Sequence, residues 1–432
     1  MPSPPAYRSL AVPSAALLFA LAACYGLWLA GPAPVAPHQV LLALIEFDDP
    51  DPLSRIEGFA GLWQGVLLVL LISPWWPWRL RLGLAAAGIA LATAYQVAIG
   101  RPYWWLHLYA FLSGAGLVML VFLVHQWFFA VDASRKTVAG FLVRGVLLFV
   151  AFGVVTKTYL IFSSAQAVPV LDWSALKLDA AAFGFSPSEW AARSAPERGG
   201  IRRVLAIAYE LLPLAMMAVF GLEARNPDRL SFGVLNGLFV CGFAAALAYS
   251  ITPVAGPVYA FGATYPGHLG QLLGGTPGWL ATQPGFAPRN AFPSFHFAWA
   301  LLALHLASAQ ASGARIAFAA YAAAIAWATL ALGEHYLVDL VASVPVLVAI
   351  VALCIERPDW RSRERIGAVL CGLAAYFVWS ILLLPSVANA AARFPAALLA
   401  WCCASVAASL YVYRRLMLAW KRVGGAATSV PP

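Results

Sequence analysis

The sequence predicts an all-α integral membrane protein, a polytopic bundle of about twelve transmembrane helices. Of its 432 residues, 62% are hydrophobic and only 10% are charged, and the mean hydropathy is +0.80. A soluble protein carries roughly 25% charged residues. Apolar runs also recur at the length needed to cross a bilayer core of about 30 Å. Because these long runs do not alternate with polar residues, they exclude a closed transmembrane barrel.

The apolar runs place the predicted spans in order along the chain. The first run is too long for the apolar part of a secretory signal and lacks a strongly basic leader, so we interpret it as a retained span. The predicted spans lie near residues 10–30, 58–76, 82–99, 108–130, 139–162, 203–221, 231–250, 294–311, 315–332, 336–354, 367–385 and 394–413.

The basic residues orient these spans. Most of them fall in loops on one side of the scheme, for example Arg135 with Lys136 and the stretch "ERPDWRSRER" from Glu356. That side is expected to be cytoplasmic, because cytoplasmic loops carry an excess of Lys and Arg. The loop 164–202 disagrees, since it carries four basic residues yet falls outside. The formal net charge is +9, but the basic residues are scattered between spans, which argues against a nucleic-acid partner.

Two polar clusters stand out at the ends of spans. An external loop at 251–293, too rich in Pro and Gly for a continuous helix, leads into "RNAFPSFHFAWALLAL", which begins at Arg289. The second cluster, "WATLALGEHYLVDLVAS", begins at Trp327. His296 and His335 are 39 residues apart, enough for one helix inward and one helix back. Parity therefore predicts both histidines on the same, external, membrane face.

The residue types in these clusters suit phosphoryl transfer through a covalent intermediate. Asp339 follows His335 by four residues, which places both on one helix face. His335 would attack phosphorus, Asp339 would stabilise the developing imidazolium, and His296 would protonate the leaving alkoxide. The same three residues could instead bind a metal ion, and each histidine alone could be structural.

The start of the helix that carries His296 could hold the phosphate. A helix N-terminus offers free backbone N–H groups and the positive end of its dipole to phosphate oxygens. Ser294 and Asn290 are candidate caps or phosphate ligands. Arg289 could add a charge-assisted contact.

These stretches resemble a known family. "FPSFHFAWALLAL" and "WATLALGEHYLVDL" are similar to the second and third signature motifs of the type 2 phosphatidic acid phosphatase superfamily. The patterns P-S-x-H and H-Y-x-x-D resemble most closely the branch that contains inositol phosphorylceramide synthase. The resemblance covers residues of about 200–355 and implies that His296 is the general acid, His335 the phosphohistidine nucleophile and Asp339 the carboxylate that orients it.

Other features of the family are present only in part. The upstream "YSITPVAGPVYAFGATYP" is similar to a Pro-rich stretch of the same branch, which makes Tyr259 a substrate-binding candidate and Tyr249 and Pro253 weaker ones. The superfamily's first motif, a lysine followed by Arg-Pro, is absent, and Ala328-Thr329 replaces the Ser-Arg of the third motif. The sequence therefore does not identify the residues that bind phosphate, and Arg289 is the first candidate.

The resemblance implies a membrane lipid phosphatase or phosphotransferase that needs no cofactor and no metal. The chain is divided into N-terminal transmembrane helices (1–163), a six-helix phosphatase-like catalytic core (164–355) and C-terminal transmembrane helices (356–432). The substrate would be a lipid phosphate or phosphodiester reached from the extracytoplasmic leaflet, with a lipid alcohol as a possible acceptor. The site would be periplasmic in a bacterial inner membrane. The alternatives are a sphingolipid-type head-group transferase and, from another class, a transporter or flippase.

Overall fold

The computed structural model describes residues 11–31, 36–37, 39, 75–98, 104–165, 169–196, 199–223, 233–262, 265–266, 288–308, 312–355 and 360–426. These residues form sixteen helices, which confirms the all-α prediction for the described part of the chain. In chain order the helices are α1 (Ala11–Leu29), α2 (Trp78–Ala98), α3 (Trp104–Phe129), α4 (Ala133–Ala165), α5 (Asp172–Phe183), α6 (Pro187–Ser194), α7 (Gly200–Glu210), α8 (Leu212–Glu223), α9 (Gly233–Ile251), α10 (Pro257–Phe261), α11 (Phe295–Ala307), α12 (Ser312–Ala331), α13 (Leu337–Cys354), α14 (Arg363–Leu382), α15 (Pro385–Ala391) and α16 (Pro395–Ala426).

Many of these helices are suited to cross a membrane. Six of the described helices are long and apolar enough to do so: α4, α9, α12, α13, α14 and α16. The pair α7 and α8 passes the same test as one span bent by 50°. Every predicted span except 58–76, which lies almost wholly outside the described residues, overlaps a described helix. The chain is thus a multi-pass membrane protein, while the full number of twelve spans stays a prediction.

The chain divides into two compact units. The first takes residues 1–159, 210–236 and 305–316, and the second takes 160–209, 237–304 and 317–432. The division predicted from the sequence, at residues 163 and 355, separates consecutive segments of the chain, whereas these two units each combine several segments. The predicted division stays a prediction. All the candidate site residues belong to the second unit.

In the first unit, α2 and α3 pack through small residues. A Cβ atom built on Gly88 would lie 2.4 Å from the Cα atom of Ala115, and one built on Gly114 would lie 2.6 Å from the carbonyl oxygen of Gly88. Such contact between two backbones requires glycine and is typical of helix pairs in membranes, where close packing replaces the hydrophobic effect.

In the second unit, α13 is the central helix and packs against α14 and α16. Val348 and Ala352 of α13 are buried together with Ala368 of α14 and Leu416 of α16. Closer to the N-terminus of α13, a Cβ atom on Gly372 of α14 would lie 2.4 Å from the carbonyl oxygen of Pro345. The candidate site lies at the N-terminal end of α13.

Two glycines of α14 offer a test of this packing. A Cβ atom added to Gly367 would meet nothing within 4 Å, whereas Gly372 is in backbone contact with α13. Alanine has a higher helix propensity than glycine by about 1 kcal/mol. We therefore expect Gly367→Ala to raise the unfolding temperature in detergent slightly and Gly372→Ala to lower it. Equal and positive shifts for both variants would show that α13 and α14 are not in contact.

Candidate active site

His335 is placed by a tight connection between α12 and α13. The backbone N–H groups of Glu334 and His335 both donate to the carbonyl oxygen of Thr329, at 3.0 and 3.1 Å. Gly333 adopts a φ of +80°, in the left-handed region that favours glycine, and the ring of Tyr265 lies where a side chain at residue 333 would extend. The short stretch "LGEHY" therefore turns the chain and leaves His335 immediately before α13.

The hydrogen bond of His335 defines which of its ring nitrogens is free. Its Nδ1 atom lies 2.8 Å from the carbonyl oxygen of Ala291. Because a carbonyl oxygen only accepts, Nδ1 carries the proton of the neutral ring and Nε2 keeps its lone pair. The side chain is almost completely buried. Burial, followed by the charge of a protonated His296, lowers the pKa of His335 to about 3, so the imidazole is neutral at physiological pH.

Asp339 lies behind this bond. Its Oδ2 atom is 3.6 Å from Nδ1 of His335, beyond hydrogen-bond distance. The same oxygen accepts the backbone N–H of Tyr336 at 2.7 Å. The sequence predicts that Asp339 orients His335; in the structure the Ala291 carbonyl makes the direct bond, and the Asp339 side chain lies just beyond hydrogen-bond distance.

His296 lies in the first turn of α11 and faces His335. The centroids of the two imidazole rings are 6.1 Å apart. The ring of His296 also stacks on the ring of Tyr209, with 4.2 Å between the centroids and 20° between the planes. The hydroxyl of Tyr209 lies 3.1 Å from Nδ1 of His296. The structure thus brings together the two histidines that the number of predicted membrane crossings places on one face.

Ser294 joins the two polar clusters. Its backbone N–H donates to the carbonyl oxygen of Asp339 at 3.1 Å, and its hydroxyl accepts the N–H of Phe297 at 3.4 Å. The second bond is an N-cap on α11, as the sequence suggests. The first fixes the start of α11 directly against the first turn of α13.

Two buried carboxylates of α5, neither of them among the sequence-predicted site residues, support the site. Asp179 accepts the backbone N–H groups of Leu337 and Val338, both at 2.8 Å. Burial raises the pKa of Asp179 to about 7, against the opposing effect of these two bonds. Asp179 therefore caps the N-terminus of α13, directly after His335.

Asp172 connects the Pro-rich segment to the same place. It accepts the N–H groups of Ala255 and Gly256, at 2.8 and 2.7 Å, and the hydroxyl of Tyr336 at 3.0 Å. Burial raises its pKa to about 6, again opposed by its hydrogen bonds. Asp172 and Asp179 are seven residues apart in "LDWSALKLDAAAF", so their spacing on one helix face is the signal that could have identified them.

The remaining candidates take other positions. Arg289 is buried, and its guanidinium donates to the carbonyl oxygen of Ser163. Asn290 beside it is half-buried. Tyr259 donates to the Glu334 carboxylate at 3.1 Å, next to His335 in the chain. Of the weaker candidates, Tyr249 packs edge-on against Phe295, and the Pro253 carbonyl accepts the N–H of Leu171.

No group of three or more His, Cys, Asp or Glu side chains within the described residues is arranged to hold a metal ion. His335 and Asp339 instead direct their closest contacts to backbone groups.

Comparison with known families finds a match over the middle of the chain. Residues 173–353 match the family model of the PAP2 superfamily. This segment contains His296, His335 and Asp339 and covers less than half of the chain. The resemblance inferred from the motifs is confirmed at the level of the superfamily over these residues. No curated protein and no solved structure matches the chain significantly.

The cap on α13 gives a prediction for stability. Asp179→Ala leaves two buried N–H groups without an acceptor, a loss of about 1–3 kcal/mol for each buried group. Asp132 is the matched control, because it accepts the N–H of Ser134 in an exposed position and water can replace it. We expect Asp179→Ala to lower the unfolding temperature in detergent clearly and Asp132→Ala to change it little. Similar small shifts for both variants would contradict the buried cap.

Proposed function

We propose that the protein is a membrane lipid phosphatase or phosphotransferase that acts at the extracytoplasmic face through a phosphohistidine on His335. The observation that carries this proposal is the bond from Nδ1 of His335 to the Ala291 carbonyl. It leaves an unprotonated Nε2 on a neutral ring that faces a second histidine. The match of residues 173–353 to the PAP2 superfamily supports the same class of reaction.

In the first step, Nε2 of His335 attacks the phosphorus of a lipid phosphate. A P–N bond forms and the P–O bond to the lipid alkoxide breaks, while His296 donates a proton to the departing oxygen. The His335 ring becomes positively charged in this step. Asp339, at 3.6 Å from Nδ1, lies close enough to stabilise that charge in a buried site.

In the second step, an oxygen nucleophile attacks the phosphohistidine and the P–N bond breaks. His296, now neutral, takes the proton of this nucleophile and returns to its starting state. With water the net reaction is hydrolysis, and with a lipid alcohol it is transfer of the phosphoryl or phosphodiester head group. Access of the acceptor to His335 decides between the two.

The start of α11 is the better candidate for binding the phosphate. The corresponding N–H groups of α13 already donate to Asp179 and Asp339. In α11 the Ser294 cap serves the later amide of Phe297. The leading amides, of Phe295 and His296, then remain suited to phosphate oxygens. Arg289, Asn290 and Tyr259 would act from the adjoining segments.

The finer assignment is a head-group transferase that resembles inositol phosphorylceramide synthase. The motifs P-S-x-H and H-Y-x-x-D favour it. In this chain the tyrosine of the second pattern, Tyr336, donates to Asp172 and so serves the structure of the site. By the distribution of basic loops the site would face the periplasm of a bacterial inner membrane.

Turnover of lipid phosphates tests the reaction. Purified protein should release phosphate from phosphatidic acid or polyprenyl pyrophosphate, or form a new phospholipid from a phosphoinositide when ceramide or diacylglycerol is added. His335→Ala and His296→Ala should each lower kcat by about 10²-fold or more. His305→Ala, on the same helix as His296 but away from its first turn, is the matched control. Full activity in either site variant would refute the mechanism.

The covalent intermediate can be trapped separately. Protein mixed briefly with ³²P-labelled substrate and quenched in base should retain label, since phosphohistidine survives base and is hydrolysed by acid. We expect the label in the wild type and in Asp339→Asn at a lower level, and none in His335→Asn. A labelled His335→Asn protein would place the nucleophile elsewhere.

A further inference from the structure

Tyr209 makes two contacts with the proposed acid. Its ring lies nearly parallel to the imidazole of His296, with 4.2 Å between the centroids, and its hydroxyl lies 3.1 Å from Nδ1. The two residues are 87 positions apart in the chain. Stacking restrains rotation of the imidazole about its Cβ–Cγ bond, and the hydroxyl favours the rotamer that places Nδ1 beside Tyr209. The two contacts together favour the observed orientation of the ring.

We propose that Tyr209 is a positioning residue that holds His296 through Nδ1, so that all proton exchange in the reaction takes place at Nε2. This inference rests on the proposed function. When His296 is protonated, its Nδ1–H donates to the Tyr209 oxygen and Nε2–H faces the leaving alkoxide. After Nε2 has given up its proton, the same Nδ1–H bond persists. The free Nε2 lone pair then accepts the proton of the incoming water or alcohol.

The partners of the two histidines match their opposite roles. His335 donates to a carbonyl oxygen and has Asp339 at 3.6 Å, two groups that offset part of the cost of burying the positive charge formed when its ring is phosphorylated. His296 has a neutral hydroxyl on its Nδ1. A neutral partner orients an imidazolium without retaining its proton as a carboxylate would. The first arrangement suits a nucleophile that becomes cationic, and the second suits a group that must release a proton.

The rest of the structure keeps Tyr209 in place. Tyr209 and Leu205 form the buried face of α7 and pack on a cluster that includes Ala328, Ala331 and Leu340. The hydroxyl of Tyr321 donates to the carbonyl oxygen of Ala208 at 2.8 Å. In addition, the Arg202 guanidinium donates to the Ala331 carbonyl oxygen at 3.1 Å. The phenol is therefore carried by a helix that is fixed to the segment preceding His335.

Two further aromatic groups among the described residues face the ring of His296. Trp299, on the same helix, contacts it edge-on at 6.1 Å between centroids. His335 lies at the same centroid distance from the turn before α13, and Asp339 stands behind His335. Removal of the Tyr209 hydroxyl therefore changes the polar partner of Nδ1 and leaves the aromatic contacts of the ring in place.

The experiment compares leaving groups in Tyr209→Phe. Departure of the alkoxide from phosphatidic acid needs a proton, whereas departure of p-nitrophenolate from p-nitrophenyl phosphate does not. Since kcat/KM reports the step that forms the phosphohistidine, we expect Tyr209→Phe to lower it by about 10–100-fold for phosphatidic acid. The value for p-nitrophenyl phosphate should change less than about threefold, because general acid catalysis contributes little to it.

Two controls separate this role from a purely structural one. Tyr321→Phe removes a hydroxyl that donates to the carbonyl oxygen of Ala208, the residue before Tyr209 in α7. This variant should change kcat/KM for both substrates by the same factor or leave both values unchanged. The amplitude of the initial burst of p-nitrophenolate release measures the concentration of correctly folded sites. Each rate is then divided by this concentration. An equal loss on both substrates in Tyr209→Phe, or no loss on either, would overturn the proposal.

His296→Ala in the same assay tests the underlying function. Selective loss on phosphatidic acid in His296→Ala, without selective loss in Tyr209→Phe, would reject the role of Tyr209 and keep His296 as the acid. Absence of selectivity in His296→Ala would reject the proposed acid itself. The two failures are therefore distinguishable.

Discussion

The N-terminus of α13 is the constraint on which the site depends. A helix start leaves backbone N–H groups that must find acceptors when they are buried. Here Asp179 accepts two of them and Asp339 accepts the N–H of Tyr336. The two Asp179 bonds fix the first turn of α13 to α5, and His335 lies just before that turn. The position of the proposed nucleophile thus follows from the way in which a buried helix end is satisfied.

A second consequence concerns the two histidines. Both are imidazoles at the ends of apolar helices, and nothing in their chemistry alone distinguishes a nucleophile from an acid. The distinction arises from the partner of each Nδ1 atom, a carbonyl oxygen backed by Asp339 for His335 and the Tyr209 hydroxyl for His296. In the proposed mechanism the same side chain performs two roles because its surroundings stabilise different protonation states.

Much of the local picture was accessible from the sequence. Long apolar runs predicted the helices, because a bilayer requires helices of sufficient length. Ser294 before an apolar run predicted an N-cap, because capping is a contact between near neighbours. The 39-residue separation of His296 and His335 indicated one face, because an even number of crossings returns the chain to its starting side. Each of these inferences uses residues that are close in sequence or a rule that counts spans.

The sequence by itself determined the class of protein and predicted its helices, and it supplied the residues that the proposed chemistry uses. Only the tertiary structure decided which groups hold those residues. Ala291, Asp172, Asp179 and Tyr209 reach the site from distant positions, and their bonds span between 44 and 164 residues of chain. Such contacts depend on how α5, α7, α11 and α13 pack together. Periodicity and motif spacing carry no information about that packing, because they describe one helix at a time.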